Sequence, residues 1–250
     1  MTLNAVAIFA ANARVGFTMP MFGLAYDMAA HGLPVIPALG NEWHSSITQS
    51  IEAAVEKFGD RKYILFYDGD GFWTEDDLRE LYRRIEADET IDAIFPTQAC
   101  RTSNERPLCW GWQTKDYDGP ELNYDGLMQE QQHGHFACTF IRMDVFRRLP
   151  RPWIQPRASK TGQWDYPNCM SSDTSFWLQL WHHNRALKNG HRVVQANDIV
   201  VGHGEFMVRW TTPRGVVMQP LGQWMAERKP PAAVRCPTRS ELGFLPTTET

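Results

Sequence analysis

Tyr63-Ile64-Leu65-Phe66-Tyr67-Asp68-Gly69-Asp70-Gly71 runs five bulky apolar and aromatic residues straight into two aspartates split by one glycine. With both faces apolar, the run predicts a buried strand. The aspartates then fall at the strand end, the edge where open α/β sheets bind ligands. Two crowded carboxylates repel each other unless a cation lies between them. A divalent cation with oxygen ligands suits that place and commonly bridges phosphates. Asp and Gly are also ordinary turn residues, so the same triplet reads equally as a solvated strand-to-helix turn.

Downstream, Thr74 to Asp88 predicts a helix. Thr74 and Asp77 resemble a capping box, and Glu75, Asp76 and Asp77 load the first turn with charge that the helix dipole favours. Leu78, Leu81, Tyr82 and Ile85 form its apolar stripe. Ile91 to Phe95 predicts the next strand, closed by Pro96. Upstream, Ala5 to Ala10 reads as a first strand. A helix runs from Pro20 to about Ala30, with Thr18 as its cap and Gly32 ending it. Pro34 to Leu39 is a short strand whose prolines mark it as an edge. Ser45 or Ser46 caps a helix carrying Ile47, Ile51, Ala54, Val55 and Phe58, stopped by Gly59. Strand and helix thus alternate through residue 96, which predicts an α/β fold built on a parallel sheet.

From Thr97 to His133 the chain turns polar and rich in Gly, Asn and Gln, predicting loops and short strands. Phe136 to Ile141 reads as a strand and Asp144 to Leu149 as a short helix. Ser172 or Asp173 starts a long helix with Phe176, Trp177, Leu180, Trp181 and Leu187 on one face. Val193 to Val201 supplies a last strand. The expected organisation is one domain over 1–215, in two halves, 1–96 and 97–215. A proline-rich irregular tail is expected over 216–250.

At 250 residues and 43% apolar content the chain can bury a substantial core as one large domain. A net charge of −4 does not by itself predict nucleic-acid binding. The charge is uneven, however. Acidic residues outnumber basic ones about two to one from Glu52 to Asp92. Arg142, Arg147, Arg148, Arg151, Arg157 and Lys160 face only Asp144 in the next charged stretch, and a second basic stretch runs from Arg209 to Arg239. These suit an anionic donor, an anionic acceptor, or water. Five cysteines without paired spacing exclude a zinc module or disulfide framework. With no basic leader and no run of about 18 apolar residues, a soluble cytoplasmic protein without a membrane span is expected.

Three segments converge: Asp68-Gly69-Asp70, Ser172-Asp173-Thr174 opening the long helix, and Val201-Gly202-His203-Gly204. A strand-end acid pair, a helix-start acid and a late histidine in this order resemble the GT-A class of nucleotide-sugar glycosyltransferases, from about Ala5 to Gly204. Gly134-His135-Phe136-Ala137-Cys138-Thr139-Phe140-Ile141-Arg142 resembles that class too, where such a strand brings in the acceptor side. The resemblance implies a GT-A-like Rossmann-type mixed sheet, mostly parallel and flanked by helices. It implies Mn²⁺ or Mg²⁺ held by Asp70 and His203, with Asp68 contacting ribose or orienting the metal. A histidine beside carboxylates fits Mn²⁺ somewhat better. Ala10, Asn12, Arg14, Asp68 and Gly69 would hold the nucleotide, and Asp173 would be the general base of an inverting enzyme. This chain has Ser172-Asp173 where many members carry Glu-Asp, so Asp165 is a second candidate. His133, His135, Trp164 and Tyr166 would line the acceptor side. The implied reaction moves a sugar from a nucleotide-sugar, a UDP-sugar first among them, to an acceptor hydroxyl. Small domains of this class occur in bacteria and phages, and both saccharides and hydroxymethylated bases of phage DNA are acceptors to weigh. Basic stretches and surplus tryptophans would suit DNA, while the acidic total charge opposes it.

Phe66-Tyr67-Asp68-Gly69-Asp70-Gly71 also resembles the first motif of haloacid-dehalogenase-type phosphatases, with Lys188 and Asn197-Asp198 imitating later motifs. Two strands precede it here, however, and Phe72-Trp73 replaces the expected hydroxyl residue. A non-catalytic nucleotide- or sugar-binding domain is the third reading.

Overall fold

In the computed structural model, residues 3–10, 28–29, 32–38, 43–68, 71–98, 128–158, 162, 171–188, 190–203, 207–212 and 215–220 are described. Residues 71–72, 202–203, 207–212 and 215–220 are described by backbone alone. The chain divides into two compact units, Met1–Gly204 and Glu205–Thr250.

The first unit holds strands β1 (Ala5–Ala10), β2 (Val35–Ala38), β3 (Tyr63–Asp68), β4 (Gly71–Phe72), β5 (Ile91–Gln98), β6 (Met128–Glu130), β7 (Thr139–Arg142) and β8 (Arg192–His203). Its helices are α1 (Trp43–Lys57), α2 (Glu75–Ala87), α3 (Met143–Arg148) and α4 (Ser172–Leu187). The sheet order is β2-β1-β3-β7-β5-β8-β4, with β6 also on β8. β2, β1, β3, β5 and β8 share one direction; β4, β6 and β7 oppose it. The sheet is therefore mixed. β7 fills the gap between β3 and β5 that the α2 crossover leaves open. β2 lies at the edge, as its prolines predicted.

The pleat sorts each strand's residues between two cores. Val6 and Ile8 of β1 and Ile64 and Phe66 of β3 face α1, α3 and α4, meeting Ile47, Ile51, Phe146, Phe176 and Trp177. Ala5, Ala7, Phe9, Tyr63, Leu65 and Tyr67 face the other way, toward Leu78, Leu81, Tyr82 and Ile85 of α2. The result is helices on both faces of one sheet.

Local signals explain most boundaries. Thr74 Oγ1 accepts from Asp77 N–H (3.2 Å), while Asp77 Oδ2 accepts from Thr74 N–H (2.8 Å), a complete capping box. Gly32, at φ +81°, ends the helical turn at Met28–Ala29. Its N–H reaches Ala29 O and the Leu33 N–H reaches Met28 O, both at 3.0 Å, the pattern of a Schellman cap. Gly59 stops α1 by close approach instead, because a Cβ there would lie 2.6 Å from Val55 O.

Some boundaries differ from expectation. α1 starts at Trp43, which places Ser46 inside the helix and buried rather than at its cap. β5 runs through Pro96 to Gln98, and the ladder shifts register right after Pro96, where the missing N–H is accommodated. β7 begins at Thr139, because residues 136–138 form a bend and turn with Cys138 at φ +51°. Leu187 lies off the buried face of α4, 52% exposed. No helix among the described residues is long and apolar enough to cross a membrane.

The second unit contains β9 (Met207–Thr212) paired antiparallel with β10 (Gly215–Pro220), Gly215 opposite Thr212. The expected tail boundary at 215/216 thus falls inside β10, and the second compact unit begins at Glu205. Ladder bonds give Val216 to Gln219 a strand that the surrounding prolines hid.

Candidate active site

The aspartate pair begins at the sheet's ligand edge. Ala10 closes β1, Ala38 closes β2 and Asp68 closes β3, with Ala10 in register with both of the others. Asp68 is half-buried. By the two-residue period it continues the row of Ile64 and Phe66, on the α1/α4 face. β4 pairs antiparallel with the end of β8, Gly71 opposite His203 and Phe72 opposite Gly202. Asp70 is the residue before Gly71, so the acid pair and the late histidine, 133 positions apart in sequence, are tied to one ladder.

Asp173 is the second residue of α4, after the N-cap Ser171 rather than serving as the cap itself. Its Oδ1 accepts from Thr174 N–H (2.8 Å) and from the Ser171 hydroxyl. The carboxylate is thereby held at the positive end of the helix dipole. Its charge also reaches His133, which is buried and held down to about 4 by desolvation, with Asp173 pulling the other way. His133 is therefore neutral at neutral pH. Between His133 and His135, Gly134 lies flat against the Trp177 indole; a Cβ there would come within 2.8 Å of the ring. Only glycine fits this approach.

His135 has a different job from the expected acceptor contact. Its Nε2–H donates to Pro96 O (2.8 Å), and its Nδ1 accepts from Ala137 N–H (3.2 Å). Both ring nitrogens are spent fixing the turn onto β5, and the ring is 4% exposed. The bonds set the neutral Nε2–H tautomer. Thr139 Oγ1 donates to His135 O (2.6 Å), bracing the same turn.

Other polar groups at this edge escaped the sequence reading. Gln131 Nε2 donates to Gln195 Oε1 (3.2 Å), and Gln195 Nε2 to Thr97 Oγ1 (3.0 Å), all buried. Tyr67 Oη, Trp73 Nε1 and Gln98 Nε2 are buried without a hydrogen-bond partner among the described residues. The only sequence signal was the polar, glutamine-rich stretch ending at His133. Asn12, Arg14, Gly69, Asp70, Trp164, Asp165 and Tyr166 lie outside the described residues, as does the side chain of His203. Among the described residues no group of three His, Cys, Asp or Glu side chains is placed to hold a metal ion.

The glycosyl transferase family 2 model matches residues 40–149. Residues 40–149 of this chain are similar to that family. The match takes in α1, β3, the acid pair, α2, β5, β7 and α3, so it supports sugar transfer and a GT-A-like reading of the mixed sheet. Among solved structures, A197 from STIV aligns with a TM-score of 0.52 at 12% identity, over 86% of this chain and 94% of that one. That likeness shows a common fold. GalNAc-T7, solved with UDP, GalNAc and Mn²⁺, aligns at 0.47 and 12% identity, over 81% of this chain and 44% of that one. A glycosyltransferase involved in glycosylation of the major capsid of PBCV-1 aligns at 0.40 and 11% identity, over 80% and 93%. No curated protein matches.

Within the matched region and just beyond it, four arginines of the first basic stretch bond to the fold itself, Arg142 and Arg148 half-buried and Arg147 and Arg151 exposed. Arg142 donates to Ile91 O (2.7 Å), Ile85 O (2.9 Å), Asp88 O (3.0 Å) and Tyr63 Oη (3.2 Å). Arg147 donates to Gly59 O, closing the end of α1. Arg148 meets the fully buried Asp92 and donates to Asn184 Oδ1 (2.9 Å). Arg151 pairs with Glu52 (2.9 Å) and lies 4.6 Å from the Trp153 ring centroid. Arg142 and Arg148 are thereby used by the fold, which removes them as a surface for DNA phosphates, while Arg147 and Arg151 stay exposed. The phosphatase reading also loses support. Asp198 is bound through both oxygens by Arg84 (2.6 Å each), and Lys188 sits at the C-terminal cap of α4 in the left-handed region.

Proposed function

We propose that the chain is a metal-dependent, inverting glycosyltransferase that moves a sugar from a UDP-sugar to an acceptor hydroxyl. The pairing of Gly71 with His203, one residue after Asp70, is the observation that carries this reading. It supports Asp70 and His203 as ligands of one Mn²⁺ or Mg²⁺, with Asp68 beside them at the end of β3. Two carboxylates and an imidazole suit such an ion. When bound, the ion acts as a Lewis acid on the departing diphosphate.

The ends of β1 and β3, with Ala10, Asn12, Arg14, Asp68 and Gly69, bind the nucleotide. Asp173 takes the acceptor proton on Oδ2, because Oδ1 already accepts two bonds. Asp165 is the reserve base. His133 stays neutral within reach of the Asp173 charge and shapes the acceptor side with Trp164 and Tyr166. His135 holds the turn that carries His133. The acceptor is a saccharide or a hydroxymethylated base.

Calorimetric titration of UDP with and without Mn²⁺ into the wild type and Asp70→Ala tests the reading. Metal-dependent binding lost in the variant is expected. No nucleotide binding under any metal would return weight to a phosphatase or a non-catalytic binding domain.

A further inference from the structure

A groove of about 450 Å³ opens beside α1, within the size range of small-molecule sites. One wall is the first turns of α1, presenting His44, Ser45, Thr48 and Gln49. The other is the segment after α3, presenting Ile154 and Gln155 between two prolines. Thr48 Oγ1 donates to Ile154 O (3.3 Å), bridging the walls at their base. No described lining residue is a carboxylate, ammonium or guanidinium. Of the two arginines that flank the lining in sequence, Arg151 is paired with Glu52 and stacked on Trp153, and Arg157 is exposed.

The groove shares its foundation with the candidate base. Trp43, one residue before His44, packs on Phe136 (5.5 Å between ring centroids). Phe136 packs on Phe176 (5.6 Å) and Trp177 (5.2 Å), in the turn of α4 that follows Asp173. Trp153, in the opposite wall, packs on Phe146 (5.6 Å), which stacks on Phe176 (5.7 Å). Both walls and the start of α4 therefore pack on one aromatic cluster, on the same sheet face as Asp68.

Resting on the transferase reading above, we propose that this groove is an acceptor subsite and that its occupant is an uncharged saccharide. The side-chain amides of Gln49 and Gln155 match the alternating donors and acceptors of sugar hydroxyls. Pro152 and Pro156, the accessible apolar lining, match the C–H face of a pyranose ring. A DNA phosphate would need cations that this lining lacks.

Side-chain amide NMR signals of Gln49 and Gln155 read the site directly. The probes are methyl β-glycosides of glucose, galactose and N-acetylglucosamine, and a duplex carrying hydroxymethylcytosine, with the UDP–Mn²⁺ titration run in parallel. At least one glycoside should shift both amides, with no change in affinity on adding salt. Replacing both residues (Gln49→Ala with Gln155→Ala) should weaken that glycoside about tenfold and leave UDP affinity unchanged. Silence of both amides toward every glycoside, or duplex binding there that collapses with salt, overturns the proposal. UDP binding with silent amides overturns the groove alone. Glycoside binding without any nucleotide binding overturns the transferase reading and the acceptor role with it.

Discussion

At the N-terminal ends of β5 and β8 a carboxylate with no exposure, Asp92, meets Arg148, His191 Nδ1 (2.7 Å) and Asn184 Nδ2 (2.7 Å). At the opposite ends of the strands, Tyr67 Oη, Trp73 Nε1 and Gln98 Nε2 are buried with no partner among the described residues. One end cancels its charges and pins α3, α4, β5 and β8 together. The other end leaves polar capacity unspent next to Asp68 and the Gly71–His203 pairing. A fold that neutralises one end so fully has a rigid base from which the other end can hold unsatisfied groups. Such groups cost stability, and they accumulate where a ligand is to be met.

The contrast breaks most sharply if chemistry and stability do not separate by end. Asp173→Asn should lower turnover by about 10³-fold while UDP affinity and the unfolding midpoint stay close to wild type. Steady-state kinetics alongside urea unfolding would read this, and retained turnover would move the base to Asp165. Asp92→Ala should do the reverse. It strands the Arg148 guanidinium, side chain 17% exposed, and should cost about 3–5 kcal/mol of stability without changing UDP affinity in the folded fraction. A loss below about 1 kcal/mol would mean that the buried pair is not the anchor of that end.

Acid should weaken the open end through His133. Its folded value of about 4 lies below the ordinary 6.5, so the unfolded chain binds the proton more readily. The stability is whole above pH 6.5 and drains away as pH falls toward 4, by about 3 kcal/mol. His133→Asn should flatten that part of the stability–pH curve measured by chemical denaturation; an unchanged curve would assign the acid sensitivity elsewhere. The smallest expected effect is Tyr67→Phe. Deleting a buried hydroxyl with no partner should leave stability unchanged or raise it by about 1 kcal/mol. A clear loss, read by thermal unfolding, would show that the hydroxyl is bonded and that the two ends differ less than they do here.

Much of the local architecture was readable from residues alone. The buried run from Tyr63, the Thr74–Asp77 box, the glycine stop at Gly32 and the first strand over Ala5–Ala10 all stand where patterning puts them. The order of Asp68-Gly69-Asp70, Asp173 and His203 pointed to a sheet-edge site. What misled was composition read without partners. The arginines from Arg142 to Arg151 suggested a basic face, but they cap helix ends and cancel Asp92 and Glu52. His135 suggested a substrate contact, but it bonds Pro96 and Ala137.

The sequence by itself determined most of the strands and helices of the first unit and the buried side of β3 and α2. Those outcomes depend on neighbours within a few residues, through side-chain alternation, caps and turn conformations. Only the tertiary structure decided that β7 separates β3 from β5, that Gly71 lies opposite His203, and that Gly134 must yield to Trp177. Each of these joins residues 43 to 132 positions apart. Such pairings follow from how whole elements share one core, and no local pattern carries that information.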